Sequence, residues 1–593
     1  MKTAFNNWLK YYTVLLLTIL AISCESYLDK APEVNISEKD VFKKFNTFQG
    51  YLEDIYQCVP DETLGRSAEM NWNYADDVLC TDRNMLSRHF DAGDYWYWED
   101  QNYSPFWGDI SVNNNNSQGI KGYWQNGWYG IRKTNVVLAH LKDLVSPTQE
   151  ERNLLAGQAY FFRGYLHFEI LRAWGGVAYI DTVYYPSDNM KLPRLSYQET
   201  ANKVTTDLRR AAELLPANWD ETTVGKATLG SNAGRITKMA AYGYLGKNLL
   251  YAASPLMNGI TTGNYVYNEE ICKEAAVALL EVIKLADQGY CGLETWENYY
   301  KNFYTLKAEP PIGKEIIFNN PVYRSNKRWR YGDFSMTYLG GWGTYSSPTE
   351  NYVENFGMAN GLPIDEGDSG YNPQDPWTNR DPRFYYNILK DGDRMIVKAN
   401  NTNPDAFAKL YVGGRHRDAQ NSITGYGYTK FRNIVCNTVD DGWNSYTWEC
   451  PNMRLADVYL MYAEAVNEAY GPTGSAPGGI TAAEAVNIVR KRANVPNVDA
   501  RFLIDKGKFR EFLRKERAVE LAFESHRWYD NRRQYIAHLP KYKEKYTLDF
   551  DQGHTYFKKT LHTTIIFDKK HYWLPFPKNQ VNLYPEFKQN PGW

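Results

Sequence analysis

Helical hydrophobic periodicity with its own start and stop signals recurs along this chain, and that pattern confines it to a mainly helical fold. From about 147 to 174, Leu155, Phe162, Leu166 and Ile170 fall on one face. Ser146-Pro147-Thr148-Gln149 supplies an N-cap, a proline at the first helical position and a capping-box acceptor, and Gly175-Gly176 supplies a left-handed stop. Similar patterns cover about 196–215, 234–252, 269–288, 453–470, 481–493 and 508–528. Thr481-Ala482-Ala483-Glu484 is a second capping box, and Gly471-Pro472 closes the helix that holds Leu455, Tyr459, Tyr462 and Val466. Small residues such as Ala463 and Ala465 stand on packing faces. Stacked antiparallel hairpins of the tetratricopeptide kind are therefore expected, a superhelix without a strict sequence repeat.

Two stretches interrupt the periodicity. Residues 60–130 are rich in Trp, Tyr, Asn and Asp, with Phe90, Tyr95, Trp96, Tyr97, Trp98, Tyr103, Phe106 and Trp107 crowded between 90 and 107. Residues 291–450 are rich in Gly, Pro, Asn and Tyr and hold Trp296, Trp329, Trp342 and Trp377. Long loops inside a folded chain are usually functional. The aromatic share of 15% is high beside an ordinary hydrophobic total of 43%, so much of the ring area is expected outside the core, on surfaces wetted at one edge.

The charge excludes some partners. Lys+Arg 67 against Asp+Glu 69 gives a formal net charge of -2, which lacks the basic footprint that nucleic acid needs. At the N-terminus Lys2 and Lys10 precede the apolar run Val14–Ile22, followed by Ser23 and Cys24. The run is too short to span a bilayer, which takes about 20 residues, so 1–23 is expected to be a signal peptide. Cys after the cut resembles a lipoprotein lipobox, which makes Cys24 the expected lipidation site and the first residue of the mature protein; acyl chains there would anchor it. The other cysteines, Cys58, Cys80, Cys272, Cys291, Cys436 and Cys450, are expected as buried thiols with one or two bridges, and none has the spacing of a zinc site.

Catalytic motifs are sparse. Gly367-Asp368-Ser369-Gly370 resembles the nucleophile region of trypsin-like proteases, but those need a strand framework this chain lacks. There is no His-Glu-x-x-His, no phosphate-cradling glycine loop and no dinucleotide fingerprint. Asp391-Gly392-Asp393 and Asp440-Asp441-Gly442 lack a full set of calcium ligands and read as exposed turns. Glu516 and Glu520 lie one helical turn apart, yet Arg514, Lys515, Arg517 and Arg527 make an ion-pair network the better reading than a glycosidase pair. No cofactor and no metal is expected.

An ordered set of segments then stands out. Tyr27-Leu28-Asp29 follows Cys24; Trp128-Tyr129 and Asn135 precede Ala159-Tyr160-Phe161-Phe162-Arg163 and Trp174-Gly175-Gly176-Val177. Gly234-Arg235-Ile236-Thr237-Lys238 leads to Leu250-Tyr251-Ala252-Ala253-Ser254-Pro255, and Asp381-Pro382-Arg383 to the run Arg454–Ala465. Glu520-Leu521-Ala522-Phe523-Glu524, Arg527-Trp528 and Gln589-Asn590-Pro591-Gly592-Trp593 complete the order. Together they resemble the SusD/RagB family of outer-membrane nutrient-binding lipoproteins over nearly the whole mature chain. The resemblance implies a tetratricopeptide-like α-superhelix and a non-catalytic role, capturing oligosaccharide for a SusC-like TonB-dependent transporter at the cell surface. It also implies that Arg454, Asp457 and Glu464 serve the scaffold.

Ligand contacts follow from chemistry instead. A pyranose offers an apolar C–H face and a hydroxyl rim, so its site needs flat rings beside polar side chains. Trp96 and Trp98 are the leading platforms, with Trp72, Trp296, Trp342 and Tyr345 behind them and Asp82 and Arg83 as hydroxyl partners. The expected organisation is a signal peptide over 1–23, an N-terminal helical region over 24–290 with the aromatic loop 60–130, and a C-terminal region over 291–593 with the insert 291–450. The alternatives are an exported carbohydrate-active enzyme and a structural lid without a ligand of its own.

Overall fold

The computed structural model describes residues 38–593 apart from 61, 63–73, 84, 101–105, 107–121, 308, 322–334 and 443–445. The leader, Cys24 and Trp72 lie outside the described residues. Helices α1 (Tyr123–His140), α2 (Gln149–Trp174), α3 (Tyr197–Leu214), α4 (Lys238–Ala253) and α5 (Glu269–Asp287) each pack on the next. Helix α6 (Leu455–Tyr470) continues the row against α5, and α7 (Ala482–Arg492) and α8 (Lys506–Glu520) pack on α6. The mainly helical array read from periodicity is what forms, stabilised by nearest-neighbour contacts. Close approach is set by small residues: a Cβ at Gly246 of α4 would stand 2.4 Å from Leu279 of α5.

Helix α2 is buried all round over most of its length, and several of its polar groups are paired inside the array. Arg163 grips Asp207 of α3 through two bonds of 2.6 and 2.7 Å, and Tyr56 donates to Gln158 at 2.7 Å. The start of α2 differs from expectation. Thr148, not Ser146, is the N-cap, in a capping box with Glu151, while Ser146 takes a φ of 50° before it. The expected box at Thr481 and Glu484 forms, and Gly175 and Gly471 stop α2 and α6 at φ 83° and 89°.

Periodicity from 508 to 528 predicts one helix, but α8 ends at Glu520 and a short helix, α9 (Arg527–Arg533), follows. Phe523 and Ser525 between them adopt φ of 62° and 63°, which carries the buried Glu524 inward. Its carboxylate accepts from Arg454 at 2.7 Å and from Lys430 at 2.6 Å. Arg454 also reaches Glu315 at 2.6 Å and Glu520 at 2.8 Å, Arg492 pairs with both of those, and Arg383 joins Glu516 at 2.5 Å. These buried ions link the insert, through Arg383 and Lys430, to α6, α7 and α8. Glu464 pairs with Arg533, and Asp457 with Arg517 at 3.2 Å, so the scaffold role implied for Arg454, Asp457 and Glu464 is what their contacts describe.

The 291–450 insert is more folded than its composition suggests. Tyr299, Phe303, Tyr352, Phe356, Trp377, Phe384, Leu410, Tyr426, Phe431 and Trp448 form a second hydrophobic core with little regular structure around it. Aromatic side chains supply the apolar area that periodicity does not reveal. Short antiparallel pairs tie this region down, among them β1 (Val78–Cys80) with β2 (Ser346–Pro348). A longer hairpin follows α9, β3 (Glu544–Phe550) with β4 (Phe557–Thr564). The expected bridges are not formed by Cys272, Cys291, Cys436 or Cys450, which remain thiols. Asp440 is no exposed turn but a buried staple that accepts from Val397 and Lys398 backbone N–H at 2.7 Å each.

Candidate functional site

The β1–β2 ribbon pairs Val78 with Pro348, Leu79 with Ser347 and Cys80 with Ser346. Just past its end the backbone N–H of Thr81 donates to the carbonyl of Tyr345 at 2.7 Å, and Tyr345 N–H donates to the Gln420 carbonyl at 3.1 Å. The turn leading into β2 is strained in the way glycine allows: Gly343 has φ 107°, and a Cβ there would sit 2.7 Å from the Gln420 carbonyl oxygen. Tyr345 itself is at φ 46°. Its ring packs on Cys80 and Met85, and its hydroxyl accepts from the Gln420 side chain at 3.0 Å. Trp342, three residues earlier, is 57% exposed, so an indole face is open to solvent.

The same ribbon end carries Asp82, half-buried, and Arg83, exposed. Four of the residues selected from the sequence, Asp82, Arg83, Trp342 and Tyr345, therefore converge on one tip although about 260 residues separate the two strands. Gln420 and Asp418 join them and were missed. Asp418 accepts from the backbone N–H of Gln420 and Asn421 at 2.8 and 3.0 Å, a turn pattern too common to mark a site from sequence.

The other selected rings go elsewhere. Trp98 is fully buried and meets Trp174 edge-on at 5.2 Å, so it offers no face to a ligand. It packs within the array core with Phe90, Tyr95 and Phe106, which corrects the expectation that these four rings lie outside the core. Trp96 is half-buried with the Lys578 ammonium 4.5 Å above its ring and Trp593 against its edge. Trp296 stacks on Tyr299 at 5.3 Å beside the second core. Ser369, in the protease-like tetrapeptide, is buried with its hydroxyl bonded to the Ile364 carbonyl.

Burial works against ionisation of Glu516 and Glu520, but the guanidiniums of Arg383 and Arg490 around the first, and of Arg492, Arg454 and Arg383 around the second, hold both below the ordinary carboxylate range. Neither can carry the proton a glycosidase acid must donate.

Two buried acids flank the root of the ribbon. Asp77, before β1, is pushed up to about 8 by burial and then by the Asp76 carboxylate, against Arg527 and Lys545. Glu350, after β2, is pushed up to about 7 by burial and then by Glu354, against a hydrogen bond from Tyr426. Asp76 is ionically fixed to Arg527 at 2.7 Å, which seats the root on α9. Near neutral pH the folded chain holds Asp77 protonated while the unfolded chain, with a carboxyl near 4, does not. The unfolded state then binds fewer protons, so stability falls as pH rises from about 4 toward about 8. Between pH 6 and pH 7 the Asp77 contribution is expected to fall by about 1.4 kcal/mol. Denaturant midpoints across that range should show a shallower fall in Asp77→Asn; an unchanged slope would rule Asp77 out as its source.

A helical array that presents aromatic and polar side chains at a ribbon tip defines the class of scaffold. Family models place it further: one described as "SusD family" matches residues 314–593, and one described as "Starch-binding associating with outer membrane" matches 26–250. The chain belongs to the SusD/RagB family. SusD-like protein P2 of Formosa agariphila is 23% identical over 88% of this chain and 89% of its own length, and SusD-like protein P38 of the same organism 22% over 87% and 90%. A SusD-like protein structure from Bacteroides fragilis shares the fold with a TM-score of 0.71 at 24% identity, over 95% of this chain and all of that one. A SusD-like carbohydrate binding protein from the same species gives 0.65 at 20% identity, over 92% and 100%. No helix among the described residues is long and apolar enough to cross a membrane.

Proposed function

We propose that this protein captures oligosaccharide at the outer membrane and hands it to a SusC-like TonB-dependent barrel, held there by acyl chains on Cys24. The observation that carries the binding step is the open indole of Trp342 beside Tyr345, with Asp82, Arg83 and Gln420 as hydrogen-bond groups at the same ribbon tip. An indole face matches the C–H face of a sugar ring, while the carboxylate, guanidinium and amide match its hydroxyls. The family and the carbohydrate-binding neighbour support the same reading. Asp82 and Arg83 are assigned the hydroxyls; Trp96 and Trp296 fall outside this group.

The test is calorimetric titration of a glycan panel against the parent and Trp342→Ala. Loss of the platform is expected to cost about 2 kcal/mol, roughly thirtyfold in affinity, with no turnover of any glycan and an unchanged melting temperature. Equal affinity in the variant, or cleavage of a bound glycan, would sink the reading. For the anchor and the barrel, membrane fractions extracted in mild detergent should yield this chain with a much larger partner, whereas Cys24→Ala should leave the membrane fraction. A free monomer in every detergent counts against the barrel, and a membrane-retained Cys24→Ala against the anchor.

A further inference from the structure

At one end of the array, where α3 ends, α4 begins and α5 ends, a cleft of about 670 Å³ opens to solvent. That volume lies in the range of small-ligand sites, and the cleft shares no lining residue with the ribbon tip. Trp219 forms part of the wall and is not itself a platform. Its indole N–H donates to the Ile236 carbonyl at 2.7 Å, and the Arg235 guanidinium covers its ring at 5.0 Å. The open groups are different ones. Tyr290 is 37% exposed and its hydroxyl donates to Glu221 at 3.3 Å, which fixes the phenol at the mouth. Ile312 is 80% exposed and adds a second apolar surface. Asp220 and Asn232 are hydrogen-bonded to each other at 2.6 Å, so an acceptor and an amide are held side by side.

The charge of this lining narrows the ligand. Asp220 and Glu221 face the cleft, while Arg235, the sole cation among the described lining residues, is already paired with Glu53 at 2.8 Å. An anionic sugar would meet two carboxylates with no free cation to offset them. A neutral sugar would meet carboxylates that accept from vicinal hydroxyls, the Asn232 amide oxygen as a further acceptor while its N–H groups hold Asp220 and the Gly225 carbonyl, and a phenol face for its C–H groups.

We propose that this cleft is a second oligosaccharide site, selective for neutral glycans, with Tyr290 as its platform and Asp220, Glu221 and Asn232 as its hydroxyl partners. The inference rests on the glycan-binding reading of the ribbon tip. Two sites at separate parts of one molecule would let a long chain be held at two points, raising its retention through effective concentration.

The experiment is calorimetric titration of the full chain in detergent with maltoheptaose, laminarihexaose, xylohexaose and mannohexaose, and with an oligogalacturonate as the anionic control. The proteins are the parent, Trp342→Ala and the double variant Tyr290→Ala, Glu221→Gln, whose positions are both at the surface; melting temperatures confirm that each is folded. At least one neutral sugar is expected to bind the parent at two equivalents, the double variant at one with the cleft affinity reduced tenfold or more, and Trp342→Ala at the complementary one. The oligogalacturonate should leave the cleft empty. One equivalent in the parent, abolished by Trp342→Ala and untouched by the double variant, overturns the second site and leaves the ribbon reading intact. No uptake by the parent overturns both, and cleft binding of the oligogalacturonate overturns the neutral selectivity.

Discussion

Glu520→Ala is expected to lose about 3–5 kcal/mol of folding stability, the range for removing one partner from a buried ion pair. Its carboxylate is fully buried and receives Arg454 at 2.8 Å, Arg492, and Arg383 at 3.3 Å. Alanine would leave three guanidiniums short of a counter-charge in an interior that water does not reach, and Glu315, Glu516 and Glu524 are already engaged by the same cations. Glu520→Gln keeps the shape and one acceptor and should lose less. Equilibrium denaturation monitored by both far-UV circular dichroism and tryptophan fluorescence would show the transition moving to lower denaturant by both probes. A shift below about 1 kcal/mol, the size of an exposed pair, would mean that the network is solvated.

This network also marks how far the sequence could be read. Arg454, Glu516 and Glu520 are recognisable as charged positions on helices, and their spacing favours ion pairs over catalysis. What spacing does not reveal is that Glu315, Arg383 and Lys430, all in the insert, reach the same centre. The helical array was legible because periodicity and caps are local. The insert was not, because its core is made by Tyr299, Phe303, Tyr352 and Trp448 standing on turns and short bridges, where apolar residues have no fixed period. The break after Glu520 shows the same limit: Phe523 and Ser525 carry no signal for positive φ, and the ion pairs of Glu524 across the core hold that turn in place.

The candidate site was legible in part, and for a related reason. Residue type pointed to Asp82, Arg83, Trp342 and Tyr345, since rings beside acids and bases are what a sugar needs. Their meeting depends on strand pairing between Val78–Cys80 and Ser346–Pro348, a long-range event that no local pattern encodes. Ring density between 90 and 107 misled because Tyr and Trp can serve a core as well as a binding face. Short helical turns over Leu86–Asp91 and Tyr97–Asp100 flank Tyr95, and Phe90, Tyr95 and Trp98 all join the array core.

Trp98 separates these two uses of an aromatic ring most sharply. It is fully buried, its ring stands edge-on to Trp174 at 5.2 Å, and it belongs to the same core as Phe106 and Trp124. Trp98→Ala should therefore cost about 3–5 kcal/mol of folding stability, from lost burial together with the cavity left behind. The folded fraction should bind glycan with parental affinity, because no face of that indole reaches a ligand. Trp342→Ala should behave in the opposite sense, melting like the parent while binding weakens, since its ring is more than half exposed. Thermal midpoints and calorimetric affinities on the same two proteins decide the matter. If Trp98→Ala melts with the parent and loses binding, the segment between 90 and 107 opens to ligand after all, and the ribbon tip is not where the glycan is held.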